Sequence, residues 1–86
     1  MKKILLTGVA GFIGYHLSLL LLKKGYVVYG VDNLNNNYDK RIKEWRLSQL
    51  KKDNSFKFTK LDISSPGTIK KYFNKNFKLN DLYSII

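Results

Sequence analysis

Residues 3–14, K-I-L-L-T-G-V-A-G-F-I-G, constrain this chain more than any other stretch. The apolar run Ile4-Leu5-Leu6 reads as a buried parallel strand, and the segment from Thr7 to Gly14 turns the backbone into an apolar helix. Its glycines are spaced three apart, at Gly8, Gly11 and Gly14. In a strand, turn and helix that hold a diphosphate, each has a physical task. Gly8 lets the chain leave the strand in a conformation that a Cβ penalises, Gly11 clears the backbone where phosphate oxygens approach, and Gly14 lets the helix lie close on its strand. The N–H groups around Gly11, Phe12 and Ile13 then sit at the positive end of the helix dipole, where an anion binds without a lysine.

A bare three-glycine pattern also occurs in ordinary glycine-rich turns of α/β proteins, so its surroundings decide what it means. A dinucleotide site requires an acid about 20 residues further on, at the end of a second strand, to accept the ribose 2′-OH. Residues 26–31, Y-V-V-Y-G-V, form that strand and Asp32 is the acid. As a ribose ligand Asp32 accepts two hydroxyls and repels a 2′-phosphate, which favours NAD over NADP. The alternative is a loop acid that caps a turn.

T-G-x-x-G-F-I-G, then V-D-N-L-N after the second strand and L-D-I after the third, resembles the N-terminus of the extended short-chain dehydrogenase/reductases. Within them the chain is similar to the NAD-dependent nucleotide-sugar epimerases and dehydratases. Residues 32–39, D-N-L-N-N-N-Y-D, continuing through Lys43-Glu44 to Arg46-Leu47, resemble the UDP-glucuronate 4-epimerase branch. The resemblance runs from Lys3 to Ile86 and implies NAD as cofactor. It also implies that Asn33 and Asn36 contact the adenosine side, although many relatives carry Asp where this chain has Asn36. Asp62 and Ile63 match the family's adenine pair: the carboxylate accepts from the adenine amino group and the next N–H meets a ring nitrogen.

Eighty-six residues suffice for one small domain of modest stability. Members of the family it resembles are several times longer, so the chain reads as an N-terminal fragment, a partial dinucleotide-binding domain over 1–86 without the substrate domain. Cysteine is absent, which excludes disulfides and thiolate metal sites and fits a reducing, cytoplasmic setting. The net charge of +10 raises the rival reading of a basic, non-catalytic module for nucleic acid or an acidic partner. Against it, the lysines are spread in pairs (2–3, 23–24, 51–52, 70–71) rather than gathered in one stripe, as on a solvated surface. The uncharged run 4–22 between lysine pairs has the length of a membrane span. Its glycines, Thr7, Tyr15, His16 and Ser18 dilute the hydrophobicity, and no cleavage pattern follows.

Helical periodicity predicts a first helix over 12–24, with Ile13, Leu17, Leu20 and Leu21 on the sheet-facing side and Gly25 as its stop. His16 on this helix reads as structural or exposed. A second helix is expected over 39–52, with Ile42, Trp45 and Gln49 on one face and Leu47 and Leu50 beside them. Lys40, Arg41, Lys43 and Glu44 form its exposed side; Arg41, a candidate for greeting a 2′-phosphate, reads as surface charge beside Asp32. Residues 56–61 alternate as a third strand. Ser65 as N-cap and Pro66 as first residue open a third helix to about 74, with Ile69, Tyr72 and Phe73 facing the sheet. A basic linker and a fourth strand over 82–86 complete the pattern.

The expected architecture is α/β, the N-terminal half of a Rossmann fold. Its parallel sheet has the order 3-2-1-4, with helices on both faces. Strand four would present an open edge, which predicts self-association. Family catalysis uses a Tyr followed four positions later by a Lys, and no tyrosine here has that lysine. The P-loop pattern and metal-spaced His or Cys are absent as well. The resemblance therefore implies the NAD-binding portion of a nucleotide-sugar epimerase without catalytic residues and without a metal. The nucleotide sugar would be a partner only of a full-length relative.

Overall fold

The computed structural model describes residues 2–34, 40–62, 64–65, 67–77 and 83–85. Asn36, Ile63 and Pro66 lie outside the described residues. β1 (Lys3–Thr7) buries Ile4, Leu5 and Leu6 in succession. Burial on consecutive residues means that both faces of the strand are covered, as in the middle of a parallel sheet. β1 pairs in parallel with β2 (Val27–Asp32), from Lys3 opposite Val27 to Thr7 opposite Val31. β4 (Tyr83–Ile85) pairs with the other side of β1, and β3 (Phe56–Lys60) lies beyond β2, giving the order β3-β2-β1-β4.

Connections between parallel neighbours are right-handed. α1 (Phe12–Lys23) and α2 (Lys40–Leu50) accompany two steps in the same direction across the sheet and so share a face. α3 (Thr68–Asn76) follows the reversal from β3 to β4 and covers the opposite face. Two cores result. Leu6, Val9, Tyr15, Val28, Leu47 and Leu50 pack on the α1–α2 side, and Leu5, Val31, Tyr72 and Phe77 pack under α3. The strand order reverses between β1 and β4, and in open α/β sheets that switch point, outside the carboxyl ends of the strands, is where ligands bind.

α1 ends as expected: Gly25 has φ +90°, its N–H bonds Leu22 O at 3.0 Å, and Tyr26 N–H bonds Leu21 O at 3.1 Å. Its seating matches the periodicity in part: Leu17 and Leu21 pack against the core as expected. Ile13 and Leu20 are 78% and 49% exposed, whereas Tyr15 and Ser18 are buried. Gly14 is seated directly on the turn after β1, which sets the helix's rotation so that Tyr15 and Ser18 turn inward beside it and Ile13 and Leu20 turn outward. α2 is rotated likewise. Lys43, Leu47 and Leu50 face inward, while Ile42 and Trp45 are about half exposed. Trp45 still meets Tyr15, with ring centroids 6.0 Å apart.

α3 begins later than the Ser-Pro signal suggests. Gly67, at φ +80°, is its N-cap, and Thr68 N–H bonds Ser65 O at 3.2 Å in the turn before it. A left-handed residue cannot lie inside a right-handed helix, so the helix starts at Thr68. At its other end Phe77, read from sequence as linker, is 4% exposed and stacks on Phe73 at 4.8 Å. Lys3 Nζ donates to Asn76 O at 3.1 Å, a cation placed at the negative end of α3.

Candidate functional site

The turn after β1 is set by two glycines. Gly8 has φ +66°, a region that L side chains rarely enter, and Gly11 N–H closes the turn on Gly8 O at 3.0 Å. A Cβ on Gly14 would drive into the Gly8 carbonyl and stand 3.0 Å from Val9 Cα, so α1 lies against this turn only because Gly14 has no side chain.

α1 therefore starts bare. Gly11, its N-cap, makes no side-chain cap, and the first turn holds no acid. Tyr15 N–H, bonded to Gly11 O at 2.9 Å, is the first to reach a helix carbonyl. The N–H groups of Phe12, Ile13 and Gly14 before it lie at the positive end of the dipole. With Gly8, Gly11, Ile42 and Arg46 their residues line a cleft of about 460 Å³. Arg46 reaches it from α2: its Nη1 donates to Ala10 O at 3.0 Å and its guanidinium lies 5.9 Å from the centre of the Phe12 ring. Sequence reasoning gave Arg46 no role. Its available signals were its place in the run that carries the family resemblance and its position three residues after Lys43, on the same helix face.

Asp32, at the end of β2, is buried against this loop. Its Oδ2 accepts Ala10 N–H at 2.9 Å and its Oδ1 accepts Leu34 N–H at 2.8 Å. Leu34 is held at φ +56°, the one non-glycine residue with positive φ among the described residues. Lys43 Nζ stands 3.6 Å from Oδ1, and the two side chains are 9% and 5% exposed. Lys43, expected on the solvated side of α2, is thus the cation that the fold brings to the acid, while Arg41 stays exposed.

Beyond Asp32 the site continues along the ends of the strands. Gly8, Val31, Asp32, Asn33 and Leu61 line a small cleft of about 120 Å³. Asn33 and Leu61 also line its neighbour of about 440 Å³, together with Lys60 and Asp62. Leu61 N–H bonds Asp32 O at 3.0 Å and fixes the two strand ends side by side. Asp62 is exposed, and its Oδ1 accepts both Ser64 Oγ–H at 2.6 Å and Ser64 N–H at 2.9 Å. These bonds, the hydroxyl's above all, hold its carboxyl below the usual carboxylate range. The structure thus brings Gly8, Gly11, Phe12, Ile13, Gly14, Asp32, Asn33 and Asp62 to one edge of the sheet. His16 is not among them; its Nδ1 lies 2.8 Å from Phe12 O on the outer side of α1. Among the described residues no cluster of His, Cys, Asp and Glu suits a metal ion, and no helix is long and apolar enough to cross a membrane. Chemically, the groove offers N–H donors for an anion at one end and carboxylate acceptors for hydroxyl and amino groups along the rest.

Residues 5–83 match a family model described as GDP-mannose 4,6 dehydratase. A UDP-glucuronate 4-epimerase of Thermodesulfobacterium geofontis is 52% identical over 69 residues, which cover 80% of this chain and 21% of that protein. Protein CapI of Staphylococcus aureus is 45% identical over 71 residues, covering 83% and 21%. Among solved structures, UDP-glucuronic acid 4-epimerase from Bacillus cereus in complex with UDP-glucuronic acid and NAD superposes with a TM-score of 0.75 at 32% identity. That match covers 98% of this chain and 26% of the other. The chain thus spans about a fifth of the length of the curated relatives it matches.

Proposed function

The chain belongs to the GDP-mannose 4,6 dehydratase family, and from that premise we propose that it is the NAD-binding portion of a nucleotide-sugar epimerase of the UDP-glucuronate 4-epimerase type. The observation that carries the reading is the row of adjoining clefts: the one at the bare N-terminus of α1 shares Gly8 with the one at Asp32, which shares Asn33 and Leu61 with the one at Asp62.

The residues fit a dinucleotide. A Cβ at Gly11 would sit 3.2 Å from Gly8 O and would crowd the mouth of the turn where phosphate oxygens approach. The first-turn N–H groups of Phe12, Ile13 and Gly14 receive the diphosphate. Asp32 Oδ2 accepts one backbone N–H and, with two lone pairs, keeps capacity for a ribose hydroxyl, while Oδ1 accepts Leu34 N–H and also faces Lys43 Nζ. At Asp62 both Ser64 bonds fall on Oδ1, which leaves Oδ2 for the adenine amino group. Asn33 lines the same groove, and Asn36 and Ile63 join the set through the family resemblance. Bound NAD supplies hydride-acceptor and hydride-donor chemistry, while this chain's residues bind and orient it. The Tyr-x-x-x-Lys pair that acts on the sugar is not within these 86 residues.

Calorimetric titration with NAD, beside an Asp32→Ala variant, tests the proposal. Hydrogen bonds to a charged acceptor contribute about 1.5–3 kcal/mol, so the substitution should weaken binding by about ten-fold or more. Raising salt from about 50 to about 200 mM should change NAD affinity far less than the roughly 10³-fold loss or more expected of a phosphate-backbone binder. A chain that circular dichroism shows folded and that ignores NAD would refute the reading. Nucleic-acid binding with that steep salt dependence would replace it with the basic-module alternative.

A further inference from the structure

Arg46 is a cation in an unfavourable place. The N-terminus of α1 is the positive end of a helix dipole, its first turn holds no acid, and a cation there is disfavoured unless an anion joins it. Yet α2 carries a guanidinium to that end. The buried Leu47 and Leu50 anchor α2, Arg46 Nη1 donates to Ala10 O at 3.0 Å, and the guanidinium lies 5.9 Å from the centre of the Phe12 ring. These contacts hold a half-buried side chain in one direction. Among the described residues, its Nε and Nη2 make no hydrogen bond and no carboxylate pairs with it. Of the described residues that line the cleft at Gly11, Phe12 and Ile13, Arg46 is the one that carries a charge.

We propose that Arg46 is the side-chain ligand of the cofactor's diphosphate: its bond to Ala10 O fixes the guanidinium at the cleft, and its remaining N–H donors receive a phosphate oxygen beside the first-turn N–H groups of α1. The proposal rests on the cofactor reading above. A guanidinium suits this double task because its planar fork can hold a carbonyl on one side and a phosphate oxygen on another, whereas a lysine there would keep the charge and lose the fork. The diphosphate also offsets the repulsion between the guanidinium and the helix end. Arg46 therefore strengthens the binding of phosphate-bearing ligands and leaves that of the bare nucleoside nearly alone.

The test is titration of the full 86-residue chain, of Arg46→Met and of Arg46→Lys with NAD, ADP and adenosine, followed by the ¹⁵N amide shifts of Gly11 and Asp62, with folding checked by circular dichroism. A hydrogen bond between charged groups is worth about ten-fold or more in affinity, so Arg46→Met should weaken NAD and ADP by that factor and change adenosine by less than about two-fold. Arg46→Lys should recover part of the loss for ADP. An Arg46 that only holds the loop through Ala10 O would weaken ADP and adenosine alike. Equal losses, or no loss for ADP, overturn the proposal while leaving the cofactor reading intact. If Arg46→Met does not fold, or adenosine binds too weakly to compare, the Nε–H resonance of Arg46 in the parent chain decides the matter. It should move in step with Gly11 as ADP is added, and a resonance that ADP leaves unmoved overturns the proposal. A folded parent chain that binds neither NAD nor ADP refutes the cofactor reading and this proposal with it.

Discussion

Substituting Gly14→Ala should destabilise the chain, although it places a better helix former inside α1. Propensity alone predicts a gain of about 0.8–1 kcal/mol for this exchange in a helix interior. Packing predicts the opposite. The new Cβ would run into the Gly8 carbonyl, with Gly8 C and Val9 Cα each 3.0 Å away. These are backbone atoms, so no rotamer change relieves the clash. The turn itself is held by Gly11 N–H on Gly8 O and by Ala10 N–H on Asp32 Oδ2. α1 must therefore retreat, loosening Tyr15 and Ser18 beneath it. Overpacking in a well-filled core costs about 1–3 kcal/mol, and the rigid neighbours place this site at or above the upper end. After the propensity gain, the net loss should be about 2 kcal/mol or more. In urea, with a slope of about 1 kcal/mol per molar for a small domain, the midpoint should fall by about 2 M or more at unchanged slope. Far-UV circular dichroism reads this directly. A midpoint equal to or above that of the parent chain would refute the close seating of α1 on the turn. Gly8→Asn and Gly14→Asn sharpen the comparison. Gly8 has nothing within 4 Å of its added Cβ and only a positive φ to satisfy, which Asn tolerates. Asn should thus be far better accepted at position 8 than at 14.

Ser18→Ala on the inward side of α1 should raise stability by about 0.5–1.5 kcal/mol, because its fully buried Oγ has no hydrogen-bond partner and Ala is the better helix former; a lower urea midpoint would contradict this. Arg46→Met should cost about 1 kcal/mol by removing the donor to Ala10 O, with Arg46→Lys recovering only part, and an unchanged midpoint would show that the bond does not support the loop. Tyr72 has its pKa raised, chiefly by burial, with Tyr29 adding and a hydrogen bond with Thr59 opposing. Its contribution is thus fully present below the unfolded value of about 10 and is lost as pH rises through the folded value. The stability difference between the parent chain and Tyr72→Phe should shrink above pH of about 10, and a constant difference through that range would refute the burial argument.

The glycine loop and Asp32 were legible because their constraints are local. A positive φ at Gly8, a close approach at Gly14 and an acid at the end of β2 each follow from residue type and spacing. Element order and fold class followed from the same pattern with the alternation of apolar runs. The faces of α1 and α2 were legible only in part: Leu17, Leu21, Leu47 and Leu50 pack inward, but periodicity overlooks small residues. Gly14 and Ser18 lie on the inward side of α1, and Ile13 and Leu20 are left outward. Lys43 was misread for a related reason: a lysine among charged neighbours on a helix reads as solvated until the tertiary fold shows an aspartate opposite it. Phe77, isolated in a basic stretch, offered no pattern at all; its stacking on Phe73 and contact with Tyr29, at 4.8 and 5.0 Å, help make it core.

The central claim is that one groove, from the first turn of α1 to Asp62, receives a dinucleotide. Amide NMR of the ¹⁵N-labelled chain during an NAD titration tests it most directly. The account predicts saturable shifts at the N–H groups of Phe12, Ile13 and Gly14, together with Ala10, Leu34 and Asp62, and little change along α3. Shifts confined to lysine-rich surface positions, or none in a folded chain, would contradict it.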